Sequence, residues 1–209
     1  MKKTKQKILD AALKLFNEDG MVNVRLQHIA DEAFVSVGNL AYHYASKEKI
    51  LLALYETLTK KQEELLAEYR VVPLFDNIDL LLSRTFSLQQ EYVFFYLDTL
   101  EVVRAYPSVK EAHQQHISFQ TEQLKSILAF NAARGALMNE LYENGFEELA
   151  IQIWMTMNFW LTQHAIRQSS QARENQYKSA IWLLLQPYFT PMGKLEYRQM
   201  LEKPYDFYF

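Results

Sequence analysis

The sequence predicts an all-α protein with a small three-helix N-terminal head followed by a larger helical bundle. Glycine and proline number only five each among 209 residues, while good helix formers are abundant. Apolar residues recur at helical spacing from the start of the chain, for example Ile8, Leu9, Ala12, Leu15 and Phe16. Few turn residues and a helical period together favour helices throughout.

Four helices are predicted in the first 70 residues, spanning about 4–19, 26–33, 36–44 and 46–70. Gly20 stands where the first helix should stop. Ser36 and Ser46 are suitable N-caps for the third and fourth helices. Pro73 ends the fourth helix, which is much longer than the two before it.

Helical spacing continues to the C-terminus, with predicted spans of about 76–88, 90–105, 107–134, 146–170 and 174–190, and a short helix at 194–202. We therefore divide the chain into an N-terminal domain at 1–48 and a helical domain at 49–209. The helix at 46–70 links them.

Charge is distributed unevenly. Residues 1–61 hold ten Lys and Arg against seven Asp and Glu, a net +3, and the rest of the chain is net −6. Such a basic head on an acidic body suits a protein whose head meets phosphates. The absence of cysteine excludes disulfides and thiolate metal sites.

Several function classes are not expected. No stretch of about 20 apolar residues and no cleavable leader is seen, so we expect a cytoplasmic protein without a membrane partner. The chain lacks a Gly-rich phosphate loop, a Gly-x-Ser-x-Gly elbow and a His-Glu-x-x-His motif. We expect no enzyme and no cofactor.

The third predicted helix has an unusual outer face. With Leu40 pointing inward, Val37 and Tyr44 lean toward the core, and the outward face carries Gly38 and Tyr42. Asn39 and Ala41 lie on its flanks. Small residues near a helix start allow close approach to base edges in a major groove, and Lys47 and Lys49 follow to meet the DNA backbone. The alternative is an ordinary helical hairpin within a bundle.

Residues 4–50 resemble the N-terminal domain of the TetR/AcrR family of transcriptional regulators. The matching residues include Ile8-Leu9, Leu15-Phe16, Gly20, Ile29-Ala30, Val35-Ser36, Gly38, Leu40, His43-Tyr44 and Ser46-Lys47-Glu48. The resemblance implies a homodimeric, ligand-responsive repressor that binds a pseudo-palindromic DNA operator. It also implies that the helix at 36–44 enters the major groove and that Lys47 contacts phosphate. The DNA-contacting residues expected from the motif and its face are Lys5, Ser36, Val37, Gly38, Asn39, Ala41, Tyr42, His43 and Lys47.

Three residues depart from the family pattern. Arg25 stands where a Thr or Ser usually caps the second helix, so that cap is missing or comes from Asn23. Phe34 replaces a turn glycine, which predicts a strained turn. Ala41 replaces a frequent Tyr, so a phosphate contact moves to Tyr42 or is lost.

The last two long helices, 146–170 and 174–190, suit a dimer interface, the role that this pair has in the resembling family. The residues expected in it are Trp154, Met157, Leu161, Ile181, Trp182 and Leu185. The alternative is that the two helices pack into their own core.

Aromatic residues are dense between 86 and 119 and are interleaved with polar ones, as in a small-molecule site. The expected ligand-binding residues are Phe95, Tyr96, Arg104, His116 and Trp160. His113 and His116 lie on adjacent turns of one helix face and could bind a metal. No carboxylate completes such a site, so no metal is expected.

The function predicted is therefore a ligand-responsive, DNA-binding transcriptional repressor. The alternative is a helical small-molecule or protein-binding module that has lost DNA binding.

Overall fold

The structure, a computed structural model, describes residues 2–167 and 171–202 and is all-helical within them, as predicted. Its α-helices are α1 (Lys2–Asp19), α2 (Leu26–Glu32), α3 (Val37–His43), α4 (Lys47–Tyr69), α5 (Phe75–Glu91), α6 (Val93–Ala105), α7 (Pro107–Ala133), α8 (Gly145–Arg167), α9 (Glu174–Leu185) and α10 (Pro191–Glu202). Short 3-10 turns lie at Met21–Asn23 and Gln186–Tyr188. None of the described helices is long and apolar enough to cross a membrane.

The predicted span at 174–190 is shorter in the structure than expected. α9 ends at Leu185, and a 3-10 turn containing Pro187 follows it. Proline has no backbone N–H to continue an α-helix. The backbone then extends, and the Met138 N–H donates to the Tyr188 carbonyl at 2.8 Å.

The last helix begins three residues earlier than predicted. The Thr190 hydroxyl accepts a hydrogen bond from the Gly193 N–H at 3.1 Å, and Pro191 occupies the first helical position. Residues 168–170 of the predicted span 146–170, and the tail at 203–209, lie outside the described residues.

The chain divides into two compact units. One comprises residues 1–63 and 88–116, and the other comprises 64–87 and 117–209. The unit boundaries therefore fall inside α4, α5 and α7. The domain division at residue 48 follows the N-terminal motif instead, and it stays a prediction.

The first unit contains the N-terminal head, whose core is formed by α1, α2 and α3. Ile8, Ala12 and Phe16, on one face of α1, are fully buried, as are Ile29 of α2 and Leu40 of α3. Gly20, at φ 76°, ends α1, and its N–H donates to the Phe16 carbonyl at 3.1 Å.

The second unit has an aromatic core. The Trp182 ring lies 5.1 Å from Phe75, 6.2 Å from Phe189 and 5.0 Å from Tyr197. The buried Asp79 carboxylate accepts the Trp182 indole N–H at 2.9 Å and pairs with Lys178 at 2.5 Å. These contacts hold α5, α9 and α10 together.

Candidate nucleic-acid interface

The turn from α2 into α3 is set by Ser36. Its hydroxyl accepts the Asn39 N–H at 3.1 Å, so the helix begins at Val37, as the sequence predicts. Leu40, fully buried, anchors the helix against the head core. α3 is only seven residues long, so these two contacts determine which of its faces is outward.

The outward face carries the residues that the sequence places there. Gly38, Asn39, Ala41 and Tyr42 are exposed, and Tyr42 keeps 75% of its surface in solvent. Val37, expected to lean inward, is also exposed at 38%, because the buried contact of this short helix is centred one turn later. That expectation for Val37 is wrong.

Gly38 is not required by the fold. A Cβ atom at this position would meet only the Ser36 hydroxyl, at 4.0 Å, and the backbone does not have a positive φ. Gly193 differs, because a Cβ there would lie 2.1 Å from the Ala136 carbonyl oxygen. The missing side chain at Gly38 therefore leaves open space on the outward face of α3.

The basic residues around this face are partly engaged within the protein. The Lys5 ammonium lies 5.8 Å from the ring of Tyr44, which is half-buried after the end of α3. The Lys47 ammonium donates to the Met21 carbonyl and lies 5.7 Å from the Phe16 ring. Burial lowers the pKa of Lys47, while the Glu101 charge acts in the opposite direction. The phosphate contact of Lys47 stays a prediction.

Phe34 forms the turn between α2 and α3 in a strained conformation, as predicted. Its φ is 55°, and 93% of its surface is exposed. A bulky residue at positive φ costs on the order of 1–3 kcal/mol, and little packing of the side chain offsets that cost. The turn is held by the Val35 N–H, which donates to the Ala30 carbonyl at 3.0 Å.

The start of α2 lacks the usual side-chain cap. The N-cap residue is Arg25, which makes no side-chain cap hydrogen bond, and the Asn23 amide nitrogen donates to the Asp19 carbonyl at 2.8 Å. The Arg25 N–H instead donates to His28 Nδ1 over a long 3.4 Å. The sequence left open whether the cap is missing or comes from Asn23, and in the structure it is missing.

Three of the five expected ligand-binding residues lie together in the first unit. The Phe95 ring is 5.9 Å from Tyr96 and 5.4 Å from His113. Gln62 connects the others, because its amide nitrogen donates to the Tyr96 hydroxyl at 2.8 Å and its oxygen lies 2.8 Å from His116 Nε2.

The cluster contains two residues that sequence reasoning missed, Tyr55 and Gln62. They lie seven residues apart on one face of α4, a spacing that could have revealed them. The Tyr55 hydroxyl lies 2.8 Å from His113 Nδ1. Burial lowers the pKa of His113 and of His116 to about 4, with a further contribution from His113 at His116. Both imidazoles are therefore neutral at pH 7.

The other two expected ligand-binding residues lie elsewhere. Arg104 is on the exposed face of α6, beside Leu97, Leu100 and Glu101. Trp160 belongs to the second unit, where its ring stacks on His164 at 4.9 Å and meets Tyr177 at 5.7 Å. As for metals, no group of three or more potential ligand residues occurs within 2–167 and 171–202.

The six residues expected in the dimer interface face the core of their own protomer. Trp154, Met157, Leu161, Ile181, Trp182 and Leu185 are all buried in the single chain. The reason is visible in the contacts, since the Trp154 indole donates to Gln120 at 2.8 Å and that of Trp182 to Asp79. The single chain therefore packs these six residues into its own core, and their part in a dimer interface stays a prediction.

The opposite faces of the same two helices are exposed and partly apolar. On α8 the exposed residues include Gln152, Met155, Phe159, Gln163 and Ile166, which follow one another at helical spacing. On α9 the exposed residue Leu183 keeps 62% of its surface in solvent. We call these six residues the outer stripe.

Comparison with known proteins decides the family. The family model described as "Bacterial regulatory proteins, tetR family" matches residues 8–54, and the TetR model described as "Bacterial transcriptional repressor" matches residues 54–197. The second match alone covers more than half of the chain. The chain belongs to the TetR family. The resemblance of residues 4–50 is thereby confirmed.

A curated regulator is similar to part of the chain. The HTH-type transcriptional regulator UidR of Escherichia coli K12 is 33% identical over 67 residues, which is 32% of this chain. The matched segment spans 33% of the length of that curated relative.

Solved structures share the fold over 86–97% of this chain. A regulator from Marinobacter aquaeolei VT8 has a TM-score of 0.80 at 22% identity and covers 96% of this chain and 98% of its own. FadR from Bacillus subtilis, solved in complex with stearoyl-CoA, has a TM-score of 0.68 at 20% identity, covering 86% and 97%. A gamma-butyrolactone receptor has a TM-score of 0.68 at 18% identity, covering 97% and 98%.

Proposed function

We propose that this TetR-family regulator acts as a cytoplasmic homodimeric repressor that binds a pseudo-palindromic DNA operator and changes its DNA affinity when a small molecule binds. The observation that carries the DNA-binding proposal is the outward face of α3. It combines open space at Gly38 with the exposed Tyr42 ring, and it is fixed by the Ser36 cap and by Leu40.

Each residue of the interface has a role that follows from its position. Val37, Gly38, Asn39 and Ala41 approach base edges, because the first turns of a recognition helix lie deepest in the major groove. Ser36, Tyr42, His43, Lys5 and Lys47 contact or position the phosphate backbone. The Lys47 ammonium has three N–H donors, and the Met21 carbonyl engages one.

Selection from random double-stranded DNA tests this proposal. The expected result is enrichment of a two-fold symmetric sequence whose affinity falls steeply as salt rises. Tyr42→Ala should weaken binding by about tenfold, the loss of one good contact. Tyr142→Ala is the matched control, since Tyr142 is 59% exposed in the other unit. A salt-independent affinity, or equal binding by Tyr42→Ala, would contradict the assignment.

The second candidate is a helical binding module that has lost DNA binding. The engagement of Lys47 by Met21, the exposed Phe34 and the missing Tyr at Ala41 favour it. A well-folded dimer that enriches no DNA sequence would support this candidate over a repressor.

For the effector we propose the cluster of Phe95, Tyr96 and His116 as the core of the site. Its polar groups are buried and uncharged at pH 7, which favours a ligand with hydrogen-bonding groups and an apolar body. The stearoyl-CoA complex of one relative and the gamma-butyrolactone receptor name of another support a small-molecule effector of this family member.

A thermal-shift screen of a metabolite library tests the effector site. Compounds that stabilise the wild-type protein should lose most of that effect in His116→Gln, which changes the hydrogen bonding of the cluster. Arg198→Gln, on exposed α10 surface, is the control. Full retention of the shift in His116→Gln would place the site elsewhere.

We infer that dimerisation uses the outer stripe of α8 and α9. An exposed apolar stripe that extends over two helices is a surface that a second copy can bury. Phe159→Glu should give a monomer in light scattering at micromolar concentration, whereas Met192→Glu, on exposed α10 surface, should not. A monomeric wild-type protein would contradict the inference.

A further inference from the structure

Asn17 joins the last turns of α1 to the break between α5 and α6. Its amide nitrogen donates to the Glu91 carbonyl at 2.9 Å, and its amide oxygen accepts the Phe94 N–H at 3.1 Å. Glu91 is the last residue of α5, and Phe94 is the second residue of α6. One side chain of the head therefore bonds both ends of the break.

The break needs a partner from outside its own two helices. The ends of α-helices leave backbone carbonyls and N–H groups without intrahelical partners. Tyr92, between the helices, is non-helical at φ −115° and ψ 37° and supplies no side-chain cap. Asn17 bonds one such carbonyl, of Glu91, and one such N–H, of Phe94. Its side chain therefore takes the place of a local cap.

Neighbouring contacts reinforce the same junction. The Phe16 ring, next to Asn17 in sequence, lies 5.3 Å from the Phe94 ring. Lys61 of α4 binds the Glu91 carboxylate at 2.6 Å, and its ammonium lies 5.2 Å from the Tyr92 ring. Both α1 and α4 therefore hold the α5–α6 break, and all of these residues belong to the first compact unit.

We propose that Asn17 is a positioning residue that couples the head to the α5–α6 break. A change in the break that draws Glu91 away from Phe94 can no longer satisfy both bonds to Asn17, so α1 must shift or lose a bond. Coupling is reciprocal, so DNA that stabilises the head also stabilises the break. The effect of DNA on the break rests on the proposed function, whereas the coupling between the head and the break does not.

The coupling is tested without DNA by hydrogen exchange of the full chain. Ile29→Val loosens the head core, where Ile29 is fully buried. In the wild-type background it should speed exchange in residues 92–97 about three- to tenfold. In the Asn17→Ala background, Ile29→Val should not speed exchange at 92–97 any further. Comparing the two single variants with the double variant in a double-mutant cycle measures this coupling. An equal increase in both backgrounds would overturn the proposal.

Two variants keep the test interpretable. Asn17→Asp retains the acceptor for the Phe94 N–H and should give an intermediate coupling, even if Asn17→Ala folds poorly. Asn77→Ala is the matched control, because the Asn77 amide makes a comparable bond to the Val72 carbonyl at 2.8 Å in the other unit. It should leave the coupling at the wild-type value.

A second measurement uses a duplex selected from random DNA. Binding should slow exchange at 92–97 in the wild type and in Asn77→Ala. In Asn17→Ala the duplex should still slow exchange in α3 but not at 92–97. If Asn17 had only a structural role, Asn17→Ala would speed exchange at 92–97 in the absence of DNA, and the duplex would still slow that exchange as much as in the wild type. That result would overturn the proposal. If no duplex binds the wild type, the proposed function fails. The double-mutant cycle with Ile29→Val and Asn17→Ala, measured without DNA, still tests the coupling.

Discussion

The Ser36 hydroxyl is the atom closest to the empty side-chain position of Gly38, and a methyl group placed there would lie 4.0 Å from it. The protein therefore has room for alanine at position 38. What excludes a side chain there, on the proposed function, is the approach of DNA.

We expect Gly38→Ala to separate stability from DNA binding. Alanine is the better helix former, so the free energy of unfolding should rise by about 0.5–1 kcal/mol. Affinity for the selected operator should fall by about tenfold or more, because the added methyl group holds the backbone away from the base edges. Urea unfolding and a DNA-binding titration measure the two effects. Unchanged DNA affinity would show that no close approach occurs at this position.

Phe34→Gly should stabilise the head. Glycine removes the strain of φ 55°, and little packing is lost because the Phe34 side chain is 93% exposed. The expected gain in the free energy of unfolding is about 1 kcal/mol. Phe34→Ala is the matched control, since alanine also loses the ring but keeps the strained backbone. If both variants gave the same stability, backbone strain would not be the cause.

Asp79→Ala should be among the most destabilising changes in the second unit. It leaves the Trp182 indole N–H without its acceptor and the Lys178 ammonium without its buried carboxylate. Breaking a buried pair of this kind costs about 3–5 kcal/mol. Glu174→Ala removes only the exposed carboxylate 3.6 Å from Lys178 and should change stability by less than about 1 kcal/mol. Chemical denaturation measures both variants.

Stability should fall on acidification because of His113 and His116. Burial depresses the pKa of each to about 4, below the 6.5 of the unfolded chain. Between pH 6.5 and 4 the unfolded state binds more protons, so the free energy of unfolding falls by up to about 1.4 kcal/mol per pH unit for each histidine. Above pH 6.5 their contribution is constant.

The double variant His113→Gln, His116→Gln isolates this effect. Its unfolding curves at pH 7 establish that it is folded, and its stability should then vary less between pH 6.5 and 4 than that of the wild type. An identical pH dependence in both proteins would assign the loss of stability to other groups.

The head could be predicted from sequence because local chemistry determines it. Ser36 caps α3, Leu40 is its buried anchor and Gly20 ends α1, and each of these follows from residue type and spacing alone. The positive φ of Phe34 was also predictable, because the resembling family has glycine at that turn.

The body was less predictable because a helix with apolar residues on several faces does not reveal which face meets which neighbour. The sequence alone does not show that Gln120 and Asp79 accept the indole N–H groups of Trp154 and Trp182 within the protomer. Those acceptors lie 34 and 103 residues away in sequence. The inward direction of Lys47 has the same origin, since it depends on the Met21 carbonyl of a different element.

The inner and outer faces of α8 use different residues, and this separation has an evolutionary consequence. Met157 and Trp160 maintain the protomer, whereas Met155 and Phe159 are available to a partner. On the proposed dimerisation through the outer stripe, substitutions there can alter which subunits associate while each subunit still folds. A duplicated gene could in this way give two regulators that coexist in one cell without forming mixed pairs.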